Sequence, residues 1–203
     1  AYAIDSLIIV LRRWPNGAIP YVIDRTSAPD TAVIIRSMEN YHNTTCIRFI
    51  PRTSETDYIR ILKGQGCYSM VGRVGGEQPV SIGRGCAHVG TVVHEFGHAI
   101  GFYHEHTRSD RDQFIKLYLE NVDKKYHPQF RKLLTWQNWL ITPFDFDSVM
   151  LYGSKSFSKT KGQPSMTRIN GDPIEEVYNR QGMSSSDIER VNTLYKCNKK
   201  EKQ

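Results

Sequence analysis

His94-Glu95-Phe96-Gly97-His98-Ala99-Ile100-Gly101-Phe102-Tyr103-His104-Glu105-His106 is the stretch from which the rest of the chain can be read. Its skeleton is H-E-x-x-H-x-x-G-x-x-H. With 7 His and 15 Gly among 203 residues, these identities arise by chance with a probability on the order of 10⁻⁵. At about 100° per residue, His98 falls about 40° from His94, and Glu95 about 100° from it. Val92, Val93, Phe96, Ala99 and Ile100 fall on the opposite side. The pattern predicts a helix over Thr91 to Phe102 that buries one face and turns two imidazoles and a carboxylate toward a cleft. A helix continued to position 104 would carry that side chain away from the other two. Gly101 is where the chain can stop and turn, because glycine tolerates positive φ at little steric cost. The turn brings His104 back as a third ligand. Three neutral imidazoles leave a tetrahedral zinc with one open position, the pattern of a catalytic site, so one Zn²⁺ per chain is expected. Glu95 stands beside the ligands without being one, and is placed to act as general base on a water molecule. His42, His88 and His127 read as ordinary structural or surface side chains.

Upstream of this segment, Ile19-Pro20-Tyr21-Val22-Ile23, Cys46 to Ile50 and Tyr58 to Leu62 are rich in strand formers, and predict three strands of one sheet. Between the first two, Ile34, Ile35, Met38 and Tyr41 recur at helical spacing behind Pro29-Asp30. Residues 64–86 hold seven glycines around short apolar pieces, as a looping strand region would. Beyond residue 105 the periodicity weakens, apart from Gln113 to Asn121 and a closing helix from Ser186 to Tyr195. Ser184-Ser185-Ser186-Asp187 supplies candidate caps for that helix. The fold class is α+β. We expect a single domain over 1–203, with an N-terminal lobe of about 1–101, a largely irregular C-terminal lobe of about 102–197 and a basic tail at 198–203.

The net charge of +6 comes from 27 basic and 21 acidic residues, which interleave through most of the chain, as in Arg108-Ser109-Asp110-Arg111-Asp112. Only Lys196 to Lys202 is a basic run, so nucleic acid is not the expected partner. The longest apolar run, Leu7 to Leu11, is far shorter than the roughly 20 residues that span a bilayer. The chain reads as a processed form whose targeting and pro-segments have been removed. Cys46, Cys67, Cys86 and Cys197 form no CxxC pair, and their even count favours two disulfides in an oxidising compartment. Spacing alone leaves all three pairings open. Asn43-Thr44-Thr45 is a glycosylation sequon, in keeping with secretion.

HEFGHAIGFYHEHTRSDRD (94–112) resembles the extended zinc signature of the astacin family of metzincins, and Ser148-Val149-Met150-Leu151-Tyr152 resembles that family's Met-turn. Trp14 to Tyr21 and the glycine-rich stretch from Gly66 to Cys86 are similar to its early segments, so the resemblance covers nearly the whole chain. It implies a secreted zinc endopeptidase acting on extended polypeptides, made as a zymogen with an inhibitory pro-segment, and further domains after the catalytic one. It implies two lobes split by a cleft, with substrate along an edge strand near Val80 to Gly85. It pairs Cys46 with Cys197 and Cys67 with Cys86. Met150 would floor the zinc, and Tyr152 would be an additional ligand at rest that swings away to stabilise the oxyanion. Glu105 would reach the mature N-terminus. Arg180 is a candidate reader of acidic side chains in the pocket that follows the scissile bond, the alternative being an ordinary solvated Arg. Ser109 and Leu151 depart from the family's usual Pro and His, and Trp14 lies further from residue 1 than in the family pattern. A silent zinc-binding module would be expected to lose Glu95 or a ligand, and another zinc hydrolase class would supply a Glu as third ligand. Neither describes this sequence.

Overall fold

The computed structural model describes residues 12–197. The expected contact of Ala1 with Glu105 and the basic tail at 198–203 lie outside them.

Strands β1 (Ala18–Ile23), β2 (Arg48–Pro51), β3 (Tyr58–Leu62), β4 (Cys67–Ser69) and β5 (Glu77–Ile82) form one sheet in the order β2-β1-β3-β5-β4. The first three pairings are parallel, and β4 runs antiparallel to β5. Parallel pairing needs crossovers, and helix α1 (Thr31–His42) makes the one between β1 and β2. Its Ile34, Met38 and Tyr41 are buried. Helix α2 (Val89–Ile100) follows β5, and from Gly90 onward every residue of it is buried. Ile19, Ile59, Ile61, Val80 and Ile82 of the sheet share one core with Val92, Val93, Phe96, Ala99 and Ile100 of α2. Two long-range hydrogen bonds fix α2 in that core: Tyr41 Oη donates to the Val93 carbonyl (2.7 Å), and Trp14 Nε1 to the Ala99 carbonyl (2.8 Å).

The edge strands of the sheet are β2 and β4, and this corrects the expectation of an edge near Val80 to Gly85. Cys67 pairs across to Ile82 and Ser69 to Val80, so β5 is flanked on both sides. The glycine-rich segment folds back on itself, and the Cys67–Cys86 disulfide closes it.

After α2 the chain is built mainly of single 3-10 turns. Gln113 to Asn121 does not form a helix. It gives a short strand, β6 (Ile115–Leu117), paired with β7 (Met166–Arg168), and then a turn at Leu119–Asn121. The ladder to β7 and the Tyr118 N–H donated to the Ser165 carbonyl (2.8 Å) outweigh the weak helical spacing. A second apolar cluster of Ile115, Val122, Phe130, Phe144, Leu151, Met166 and Ile174 supports this part. Helix α3 (Ser185–Tyr195) closes the chain behind a capping box, in which Ser184 Oγ accepts from the Asp187 N–H and Asp187 accepts from the Ser184 N–H. Its Val191 packs into the first core together with Val149 and Met150, and Cys197 beyond it is bonded to Cys46 just before β2.

Candidate active site

Helix α2 ends at Gly101, whose φ of 128° and ψ of 10° lie where a side chain is strongly disfavoured. The Gly101 and Phe102 N–H groups donate back to the carbonyls of Gly97 and His98, so the last turn is closed and the chain is free to reverse. His104 thereby returns to the two helical histidines. The three Nε2 atoms lie 3.1 Å (His94–His98), 2.9 Å (His98–His104) and 3.2 Å (His94–His104) apart.

These contacts are not mutually satisfied hydrogen bonds. The Nδ1–H of His94 donates to the Val149 carbonyl (2.7 Å), and that of His98 to the Phe102 carbonyl (2.7 Å). That tautomer leaves the Nε2 lone pairs of both rings pointing at one another. Lone pairs that converge in this way repel unless a proton or a metal cation sits among them. Zinc–nitrogen bonds of about 2.0–2.1 Å at tetrahedral angles would hold such nitrogens about 3.3 Å apart, close to the spacing found. Burial lowers the basicity of all three, His98 to about 4 and His94 and His104 well below their ordinary value, so each is neutral and ready to ligate at physiological pH. The donor set fits zinc, and among the described residues it is the one cluster of three or more His, Cys, Asp or Glu able to hold a metal.

Glu95 faces the same cleft, a space of about 790 Å³. It is buried, and its Oε2 has no hydrogen-bond partner. Burial pushes its carboxyl up to about 8, while a cation held by the imidazoles would act in the opposite direction. The Tyr152 ring lies 4.2 Å from that of His104 and 6.0 Å from that of His94. Burial, and then the Glu95 charge, raise its phenol further, so it keeps its proton.

The Met-turn is clamped from behind. Asp187 accepts from Ser148 Oγ (2.6 Å) and from the Val149 N–H (2.8 Å), while the Met150 carbonyl accepts from the Glu105 N–H (2.9 Å). The Val149 carbonyl orients His94, so this clamp reaches a metal ligand through one peptide unit. Met150 is buried against α2 at Gly97, where a Cβ would come within 2.5 Å of its Sδ. That close approach explains the glycine inside the histidine motif. Glu105 is buried and accepts from Arg108, from Arg190 through both guanidinium nitrogens (2.8 Å each) and from the Asp145 N–H.

Arg180 is placed otherwise than expected. It is buried, and its guanidinium donates to the carbonyls of Phe146, Ser148 and Glu175. With its terminal guanidinium nitrogens holding these carbonyls, and Arg180 not among the residues that line the cleft, it is not placed there as an acid reader. His106 is a site residue that the sequence reading passes over. It is fully buried, stacks on Tyr152 (4.3 Å) and His104 (5.0 Å), and donates through Nε2 to the Gln129 carbonyl (2.9 Å). A further histidine two residues past a ligand is the signal that could have found it. His42 and His127 are structural, bonded to the Phe49 N–H and to the carbonyls of Leu119 and Val122. Asn43 is exposed at the end of α1.

Comparison with known proteins gives the same reading as the geometry. The chain is 45% identical over 190 residues to "Astacin-like metalloprotease toxin 1" of Loxosceles intermedia, covering 91% of this chain and 71% of that protein. It is 43% identical over 202 residues to "Zinc metalloproteinase nas-8" of Steinernema carpocapsae, covering 95% of this chain but 47% of the relative, so it spans about half of that longer protein. The solved structure of High choriolytic enzyme 1, a hatching enzyme zinc-protease from Oryzias latipes, superposes with a TM-score of 0.82 at 43% identity, covering 91% of this chain and 93% of the other. The peptidase family described as Astacin matches residues 8–196, and on this agreement of sequence, fold and three-histidine centre the chain belongs to the astacin family of zinc metalloendopeptidases.

Proposed function

We propose that this chain hydrolyses internal peptide bonds of extended polypeptides, with His94, His98 and His104 holding one zinc ion and Glu95 as general base. The observation that carries it is the unpartnered, buried Glu95 carboxylate in the same cleft as three convergent imidazole nitrogens. Zinc, when bound, supplies a Lewis acid for the scissile carbonyl and lowers the pKa of water to about 7. Glu95 takes a proton from the attacking water as its oxygen bonds to the carbonyl carbon. The same carboxyl then delivers that proton to the amine as the C–N bond breaks. Tyr152 retains its phenolic proton and is available to donate it in a hydrogen bond to the developing oxyanion. Arg108, Arg190, Asp187 and Arg180 hold the turn and the third ligand in place.

Substrate would lie along the exposed edge strand β4, which lines the cleft and offers unpaired backbone groups. Secretion is supported by the two disulfides, and the exposed Asn43 is open to glycosylation. A pro-segment that blocks the cleft and further domains belong to the same reading, which the greater length of several relatives supports. No helix among the described residues is long and apolar enough to cross a membrane.

A chelator should abolish cleavage of a quenched fluorogenic peptide, and added zinc should restore it. Glu95→Gln should keep its zinc while kcat falls by about 10²-fold to 10⁴-fold. Full turnover by metal-free protein, or by zinc-loaded Glu95→Gln, would sink the proposal.

A further inference from the structure

With Arg180 turned inward, the cleft has no Lys or Arg among its described lining residues. Its charged lining side chains besides the histidines are two carboxylates, Glu95 and Glu176. Glu176 sits beside the reaction centre. It packs on Gly153, next in the chain to Tyr152, so closely that a Cβ there would overlap its carboxyl carbon. It accepts from the Lys155 N–H (2.6 Å) and stands 3.5 Å from the Ser156 hydroxyl. Both partners are neutral, and no ion pair to Glu176 occurs among the described residues. The carboxylate therefore keeps spare lone pairs at the cleft wall.

Two exposed aromatic side chains line the same cleft. Phe157 is 37% exposed and Tyr178 is 49% exposed, and both line the cleft. Phe157 has a φ of 58°, rare for a bulky residue, and is locked there by ring contacts to Tyr126 (4.9 Å) and Tyr152 (5.5 Å). Such strain persists where the surroundings over-determine it, and it clusters at functional sites. Lys125 already lies over the Tyr126 ring, 4.8 Å from its centroid, so this aromatic group takes an ammonium within the chain itself. A carboxylate and aromatic rings lining one cleft, with no Lys or Arg among its described lining residues, suit a guanidinium or ammonium group.

We propose that Glu176, Phe157 and Tyr178 form a subsite for a Lys or Arg side chain of the substrate next to the scissile bond. This rests on the peptidase reading above and adds the substrate's charge class. The net charge of +6 does not oppose it, because at physiological salt the field of distant exposed charges is screened within about 8 Å.

The test uses zinc-loaded enzyme and matched fluorogenic peptides that carry Arg, norleucine or Glu in turn at each position flanking the cleaved bond. At one position wild type should favour Arg over norleucine about tenfold in kcat/KM, and disfavour Glu, as expected for one partly exposed ion pair with a cation–π contact. Glu176→Gln keeps an acceptor for the Lys155 N–H and removes the charge. It should bring the Arg-to-norleucine ratio close to one, and using the ratio cancels any general loss of activity. Tyr178→Leu should reduce the same ratio a few-fold, and decides the matter if Glu176→Gln does not fold. Equal rates for Arg, norleucine and Glu, or an Arg preference that survives both substitutions, would overturn the subsite and leave the peptidase standing. Failure to cleave any peptide would instead sink the peptidase reading itself.

Discussion

Helix α2 and the Met-turn both bear on the same three imidazoles, and they are held in place differently. The helix presents His94, Glu95 and His98 by local geometry, and its remaining residues disappear into a shared core with the sheet. The Met-turn has no regular structure to place it. Its carbonyls and N–H groups are gripped one at a time by buried charged side chains, Asp187 and Arg180, that arrive from distant parts of the chain. A helix spreads its stability over many apolar contacts, so single losses are absorbed. A clamp made of a few buried charges concentrates it, and each loss leaves a partner unsatisfied.

Cutting the covalent tie between the sheet that backs α2 and the closing helix that carries Asp187 should have the largest effect. The Cys46–Cys197 bridge spans 151 residues and anchors the end of α3, while Cys67–Cys86 spans 19. Double Ser replacement of the first should cost about 5 kcal/mol in denaturant unfolding, and of the second about 3 kcal/mol. Equal losses would mean that the closing helix is held by its packing alone. Removing the clamp itself comes next. Asp187→Ala strands the Ser148 hydroxyl and the Val149 N–H, and should lower stability by about 3–5 kcal/mol. Because the Val149 carbonyl orients His94, zinc affinity measured by competition with a chelator should also fall about 10-fold to 100-fold. A folded variant with native zinc affinity would show that α2 positions its ligands unaided.

Tyr152 tests whether the irregular side contributes chemistry as well as support. Tyr152→Phe keeps the ring stacking on His104 and His106 and removes only the hydroxyl. Its kcat should fall about 10²-fold to 10³-fold with KM little changed and zinc content intact. An unchanged kcat would leave Tyr152 as packing.

The smallest effect, per pH unit, concerns the histidines of the metal-free protein. Burial holds His98 at about 4 and His106 at about 3, below the ordinary value of 6.5. Below pH 6.5 the unfolded chain therefore binds protons that the folded chain refuses. Stability is full above that pH and should fall on acidification, by up to about 1.4 kcal/mol per unit for each such histidine, down to about pH 4 for His98. Urea midpoints across this range should show the slope, and His106→Gln should reduce it by about one proton. A flat profile would mean that these rings are more open to water than their packing shows.

Legibility followed the same division. The β1 and β3 strands, α1, α2 and α3 were readable to within a few residues, because alternation and helical spacing are local consequences of burying one face. The histidine triad was readable for the same reason, with Gly101 marking the reversal. What misled was contact at a distance. Arg180 looked like a surface reader, since nothing near it in the chain announces the three carbonyls it serves. Gln113 to Asn121 carried a weak helical period that a ladder to residues 166–168 overrode. The glycine-rich segment suggested a sheet edge at β5, whereas its own fold-back made β4 the edge.

From the residues alone came the candidate zinc ligands, the proposed general base and the order of the main elements, since periodicity and ligand spacing are properties of neighbouring positions. The tertiary structure alone decided which side chains serve the site from behind, which strand is exposed and what charge the cleft wall carries. Those depend on groups far apart in the chain, 151 residues in the case of the longer disulfide, meeting in a buried space where each polar atom must find a partner that the local sequence does not name.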